Sequence, residues 1–175
     1  MRSSVLFILL AACGGESSST PDAPGATPDS AGNPAQCLIK GDYGAVGSVT
    51  GTASMGAGTL SATLEAGPPR DVFYIKLTAG KGAFTGGVMP GTYTISGADA
   101  GYTTCGLCVH IIADLVTGQG PSKFYFADSG TVTLTSTGTV MGSAMNLHFN
   151  EVDTGSGAVI AGCEATMTSI AFATQ

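Results

Sequence analysis

From Cys37 onward the apolar residues recur at every second position between glycine-rich turns, and no stretch keeps the three-to-four spacing of an amphipathic helix. That periodicity restricts the chain to strands, because an extended backbone sends successive side chains to opposite faces. Leu60, Ala62 and Leu64 alternate with Ser61 and Thr63; Phe73, Ile75 and Leu77 form one face of the next run, and Val72, Tyr74 and Lys76 the other. Pro90-Gly91 opens Thr92 to Ser96, in which Tyr93 and Ile95 share a side. Val109 and Ile111 alternate with His110 and Ile112, and the β-branched content of Cys108 to Val116 favours strand over the helix its length would allow. Gly118-Gln119-Gly120-Pro121 and Asp128-Ser129-Gly130 read as turns, the second leading into Val132 and Leu134. Met145, Leu147 and Phe149 are expected on one face, and the last run, Ala158 to Ala173, carries Val159, Ile160, Met167, Ile170 and Phe172. About eight or nine Thr-rich strands with glycine turns predict an all-β domain over residues 37–175, an antiparallel β-sandwich or jelly roll. Its length suits one two-layer core and no second domain.

The stretch ahead of that domain cannot belong to it. Gly14 to Gln36 holds four Pro, four Gly, four Ser and two Thr with no large aliphatic or aromatic side chain, so it reads as a disordered tether. With about 23 residues its root-mean-square reach is roughly 25 to 30 Å. Before it come Arg2, the apolar run Val5 to Ala12 and then Cys13, the layout of a secretory signal too short to span a bilayer. Leu10-Ala11-Ala12-Cys13 resembles the bacterial lipobox at all four positions. The resemblance implies removal of residues 1–12, acyl chains such as palmitate on Cys13, and attachment to a membrane. Gly14 in place of Asp resembles the pattern that directs lipoproteins to the outer membrane of hosts that have one. Two acyl chains suffice for stable anchoring where one does not. The alternative reading makes Val5 to Ala12 a buried strand and Cys13 an ordinary thiol, and the Pro-rich stretch that follows argues against it.

Charge narrows the partners. After residue 12 the chain keeps five basic residues against twelve acids, a net charge of 5 − 12 = −7, and the basic residues are scattered singly. Nucleic-acid binding, which relies on clustered Lys and Arg, is therefore not expected. Charged residues make up 10% of the chain against about 25% typically, so the surface must be polar mainly through hydroxyls.

Export makes disulfides the default for Cys37, Cys105, Cys108 and Cys163, an even set once Cys13 is set aside. Three connectivities are possible, and the favoured one joins Cys105 to Cys108 locally and Cys37 to Cys163 across the domain. Cys105-Gly106-Leu107-Cys108 also has the spacing of a thiol oxidoreductase pair. Such a pair needs a helix N-terminus to lower the thiol pKa, and a strand pattern follows instead. A four-thiolate zinc site would need a second paired knuckle, which the sequence lacks.

The remaining motifs are incomplete. Asp153-Thr154-Gly155-Ser156 is similar to the signature of aspartic proteases, but that chemistry needs two adjoining carboxylates and hence a homodimer. As a hairpin turn the same residues need no further explanation. His110, His148, Asp114, Asp128, Glu151 and Asp153 are conceivable acid, base or metal groups, yet nothing in their spacing brings them together. Gly80-Lys81-Gly82 lacks the context of a phosphate loop and reads as a turn. Pro90 to Gly97, the CxxC, Phe124 to Val132 and Gly162-Cys163 together resemble a loose group of bacterial lipoproteins with β-rich domains, and that resemblance carries no activity. The sequence thus points to a monomeric, non-catalytic envelope lipoprotein with a structural or binding role, calling for no cofactor or metal. Tyr43, Tyr102 and Tyr125, if exposed, would be the first candidates for carbohydrate or protein contact. An envelope enzyme, acting through Cys105 and Cys108 or through Asp153, is the competing class.

Overall fold

The computed structural model describes residues 37, 39–53, 58–65, 70–116 and 123–175. Cys13, the signal, the tether and the Gly118–Pro121 turn lie outside the described residues. The domain is all-β: eight strands form one mixed sheet in the order β1-β8-β7-β6-β5-β3-β2, with β4 joining β6 on the side where β5 ends. The strands are β1 (Ala45–Gly51), β2 (Thr59–Thr63), β3 (Arg70–Leu77), β4 (Gly91–Thr94), β5 (Leu107–Leu115), β6 (Lys123–Ser136), β7 (Met141–Val152) and β8 (Val159–Thr174). Two single-turn 3₁₀ segments, Gly82–Phe84 and Gly97–Ala100, interrupt them. Backbone hydrogen bonds in both directions between Thr52 and Ser61 bring β1 towards β2, so the sheet curls into a nearly closed barrel.

The curl explains how one sheet makes a two-walled core. Phe73, Ile75, Leu107, Val109, Ile111, Leu147, Phe149, Ile170 and Phe172 all face inward and are buried together. Closure brings the two ends of the chain side by side, and β1 therefore runs parallel to β8 while the other neighbours are antiparallel. A sandwich of purely antiparallel hairpins would not need that pair.

Two local expectations change. Asp128-Ser129-Gly130 is not a turn: β6 continues through it for 14 residues, with irregularities at Ala127/Ser129 and Ser129/Thr131. Bulges of this kind bend a strand while keeping it in the ladder. Gly130 sits at φ +126, and a Cβ there would lie 2.7 Å from Leu147 Cδ2 and 2.9 Å from the Asn146 carbonyl. Opposite it, Asn146 adopts φ +52. That extra residue puts Met145 out of phase with Leu147 and Phe149, so Met145 is 55% exposed while the other two are buried. Val159 and Ile160, expected in the last apolar face, are also exposed. Between Asn150↔Glu164 and Val152↔Val159 the register slips, lifting these residues out of the wall.

Candidate functional site

Three polar or aromatic clusters stand out, and all are built across strands. The first lies outside the barrel where β6, β7 and β8 adjoin. His148 Nδ1 is 2.9 Å from Asp128 Oδ1, and its Nε2 is 3.5 Å from Glu164 Oε2; Asn150 Nδ2 donates to Asp128 Oδ2 at 2.6 Å. Partial burial opposes the charge on His148, but the hydrogen bonds and charges of Asp128 and Glu164 outweigh it and hold the imidazole above its ordinary pKa. Both ring nitrogens are thus directed at carboxylates, and the nearby Ser129 hydroxyl donates to Asp128 at 3.1 Å. A nucleophilic relay would need the hydroxyl on the imidazole, and this serine is not there.

The second cluster closes the end of the barrel where Cys37 enters. The buried Tyr43 hydroxyl donates to Asp71, and the Tyr125 hydroxyl donates to the Cys37 carbonyl. Burial, with the Asp71 charge, pushes the Tyr43 hydroxyl far above the usual phenol range. Asp71 Oδ1 accepts from the Asp114 backbone N–H at 3.2 Å. Beside them Lys123 Nζ lies 3.0 Å from Glu151 Oε1, a carboxylate with a side chain only 7% exposed. These contacts tie the first residues of the domain to β3, β5, β6 and β7.

The third cluster packs on the outside of β5. His110 meets Phe126, Tyr102 and Tyr74 edge-on, with ring centroids 5.0, 5.6 and 5.6 Å away. Beneath them Cys105 and Cys108 stand at disulfide distance, both buried, with Cα atoms 5.3 Å apart. Cys108 is in a strand, and the N–H groups of Gly106 and Leu107 are taken by the Asp99 carboxylate at 2.8 and 2.9 Å. The donors that could stabilise a Cys105 thiolate are therefore committed to another anion. Cys37 and Cys163 form the second pair at disulfide distance.

Burial drives the His110 pKa down to about 4, with Lys76 adding to the effect. A folded pKa below the unfolded value of 6.5 means that the unfolded chain takes up the proton first as pH falls. The stability due to neutral His110 should accordingly be full above pH 6.5, decline towards pH 4 and reach a loss of about 3 kcal/mol at most. His148 has the opposite sign: its contribution is present at low pH and fades as pH rises through its raised pKa. Urea unfolding of wild type and His110→Phe between pH 4 and 7 separates the two. The difference between the proteins should shrink or reverse towards acid pH, and a pH-independent difference would refute the buried neutral imidazole.

Asp153 is exposed at the tip of the β7–β8 hairpin, where its Oδ1 accepts from the Ser156 N–H and hydroxyl, each at 2.7 Å. Those bonds hold its carboxyl below the ordinary range. An exposed carboxylate whose Oδ1 accepts two bonds from its own turn is a turn cap, unlike the proton-sharing pair of a protease. Of the three tyrosines, Tyr43 and Tyr125 are buried and Tyr102 is half-buried in the aromatic cluster. The cross-strand register brings His148 to Asp128, while His110 stands apart among rings. Among the described residues no group of three or more His, Cys, Asp or Glu is arranged to hold a metal ion. Asp99, which sequence reasoning passed over, is the single charged residue between Lys81 and Asp114. That isolation was its signal. No family model, curated protein or solved structure matches the chain.

Proposed function

We propose that the protein is a cell-envelope lipoprotein, anchored in the outer membrane through acylated Cys13, that presents its β-barrel domain on a flexible tether in a structural or binding role. The observation that carries this reading is Leu10-Ala11-Ala12-Cys13 behind an apolar run and ahead of a Pro/Gly/Ser stretch. Two features of the domain support it. Its cysteines stand in two pairs at disulfide distance, as suits an oxidising compartment. Four of the groups that the sequence singles out are held in contacts within the domain: His148 with carboxylates, Asp153 in a turn, and Tyr43 and Tyr125 at the closed end of the barrel. No helix among the described residues is long and apolar enough to cross a membrane.

Expression of the full chain with its own leader in a bacterium that has an outer membrane tests the proposal. Wild type should partition into detergent and outer-membrane fractions, and its mature N-terminal peptide should carry acyl mass on Cys13. Cys13→Ser should carry no acyl mass, keep residues 1–12 and be lost from the outer-membrane fraction. A soluble wild type, or a Cys13→Ser variant that still reaches the outer-membrane fraction, contradicts the anchor.

A further inference from the structure

Charge is segregated within the barrel. Residues 43–64, 82–98, 129–147 and 165–175 contain no Asp, Glu, Lys or Arg. Those segments supply β1, β2, β4, the second half of β6, the first half of β7 and most of β8; β4-β6-β7-β8-β1 are adjacent in that order, and β2 follows β1 at the closure. Their outward side chains form registered rows across all five strands, as in Thr92↔Thr133↔Ser143↔Ala171↔Ser48, and each of these residues is exposed or half-buried. Met141 and Met145 stand exposed in the flanking rows. A shallow groove of about 330 Å³, lined among others by Ser48, Thr50, Thr135, Met141 and Ala171, runs over the same face.

We infer that this uncharged face is a self-association surface, on which a second copy of the chain packs sheet against sheet. Charge argues for that occupant. Each mature copy carries a net charge of about −7, so two copies repel each other through most of their surface. The β4-β6-β7-β8-β1 face can be buried without bringing like charges together or desolvating an ion. A basic partner would instead be drawn to the acids around Glu65, Asp153 and Glu164, at the opposite end of the barrel. A two-fold axis sets the same rows of the two copies against each other, and Met141 in the groove and Met145 one row from it are flexible thioethers able to adapt to the opposing sheet. An axis along the strands leaves both Cys37 ends, and hence both tethers, on the same side.

Area sets the strength. Five strands about 4.8 Å apart and three rows about 6.7 Å apart cover roughly 24 by 20 Å, or about 1,000 Å² over both copies, the lower bound for a specific interface. The association is therefore weak and reversible, and the monomer expected from the sequence is its dilute state.

Sedimentation velocity on the mature chain, residues 13–175 carrying Cys13→Ser, which keeps both the apolar leader and acyl groups out of the measurement, decides the matter. From about 10 µM to 1 mM the sedimentation coefficient should rise towards that of a dimer. Ser143→Arg and Met145→Glu, each on that background, should weaken the association at least tenfold, while Thr103→Arg, exposed beside Gly157 of the β7–β8 hairpin at the charged end of the barrel, leaves it unchanged. Thermal melts identify a variant that has lost its fold. Added salt screens the net repulsion and should strengthen association up to about 0.15 M. A monomer at 1 mM overturns the inference, even if an uncharged glycan is found on the face instead. It is equally overturned by a dimer indifferent to both substitutions or weakened by salt.

Discussion

Asp99→Ala is expected to destabilise the domain by about 3 to 5 kcal/mol. The Asp99 carboxylate is 5% exposed and accepts three backbone N–H groups, from Ala83 at 2.8 Å, Gly106 at 2.8 Å and Leu107 at 2.9 Å. These join the Gly82–Phe84 turn, the Gly97–Ala100 turn and the first residue of β5. Alanine would leave up to three buried donors without an acceptor, each costing about 1 to 3 kcal/mol, with partial relief from water. The packing leaves little room to adapt. A Cβ on Gly106 would lie 2.0 Å from the Lys81 carbonyl oxygen, so the strand start and the turn are in backbone contact.

Asp99→Asn separates hydrogen bonding from charge. Its amide keeps one acceptor for Gly106 and Leu107 but turns a donor towards Ala83 or offers none, so a loss of about 1 to 2 kcal/mol is expected. Thermal and urea unfolding measure both. A loss below about 1 kcal/mol for Asp99→Ala would show that the loop re-forms its bonds elsewhere. Residues 101–106 also cover His110 through Tyr102, so loosening them should let water reach the imidazole and raise its pKa from about 4 towards 6.5. An NMR titration of His110 in the variant reads that effect separately from stability.

The fold class was legible because period-two alternation survives in a single sequence wherever one face is buried, as in Phe73, Ile75 and Leu77. The curl of the sheet was not, since it arises from single-residue events. Gly130 and Asn146 each look like turn residues, and only their cross-strand neighbours show that they bend strands that continue. Met145 moved to the surface for the same reason. The parallel β1–β8 pair was equally hidden: alternation tells which face a residue occupies and nothing about which strand lies beside it. Candidate sites suffered most from this. His148, Asp128 and Glu164 are up to 36 residues apart in sequence and meet only through the β6–β7–β8 register. Asp153 was readable as a turn because its partner, Ser156, is local.

Removing the long cysteine pair should cost as much as any single change in this protein. Cys37 and Cys163 are separated by 126 residues, and in the loop-entropy model a link of that span stabilises by about 5 kcal/mol, against about 2 for Cys105 and Cys108, three residues apart. The long link also acts where the fold is hardest to assemble. Residues after Cys37 run alongside β8, with the Tyr43 N–H donating to the Thr166 carbonyl and the Thr166 N–H to the Gly41 carbonyl, and β1 follows in parallel with β8. These contacts join the two ends of the domain, so their loop-closure entropy is large and nothing local offsets it. On its other side β1 is held to β2 by the hydrogen bonds of Thr52 and Ser61. Cys37→Ala with Cys163→Ala is therefore expected to lose about 5 kcal/mol, and amide exchange should accelerate first in residues 41–51. Cys105→Ala with Cys108→Ala should lose about 2 kcal/mol and leave those amides protected. Equal losses from the two pairs, or uniform acceleration of exchange across the sheet, would show that barrel closure does not depend on the link between the chain ends.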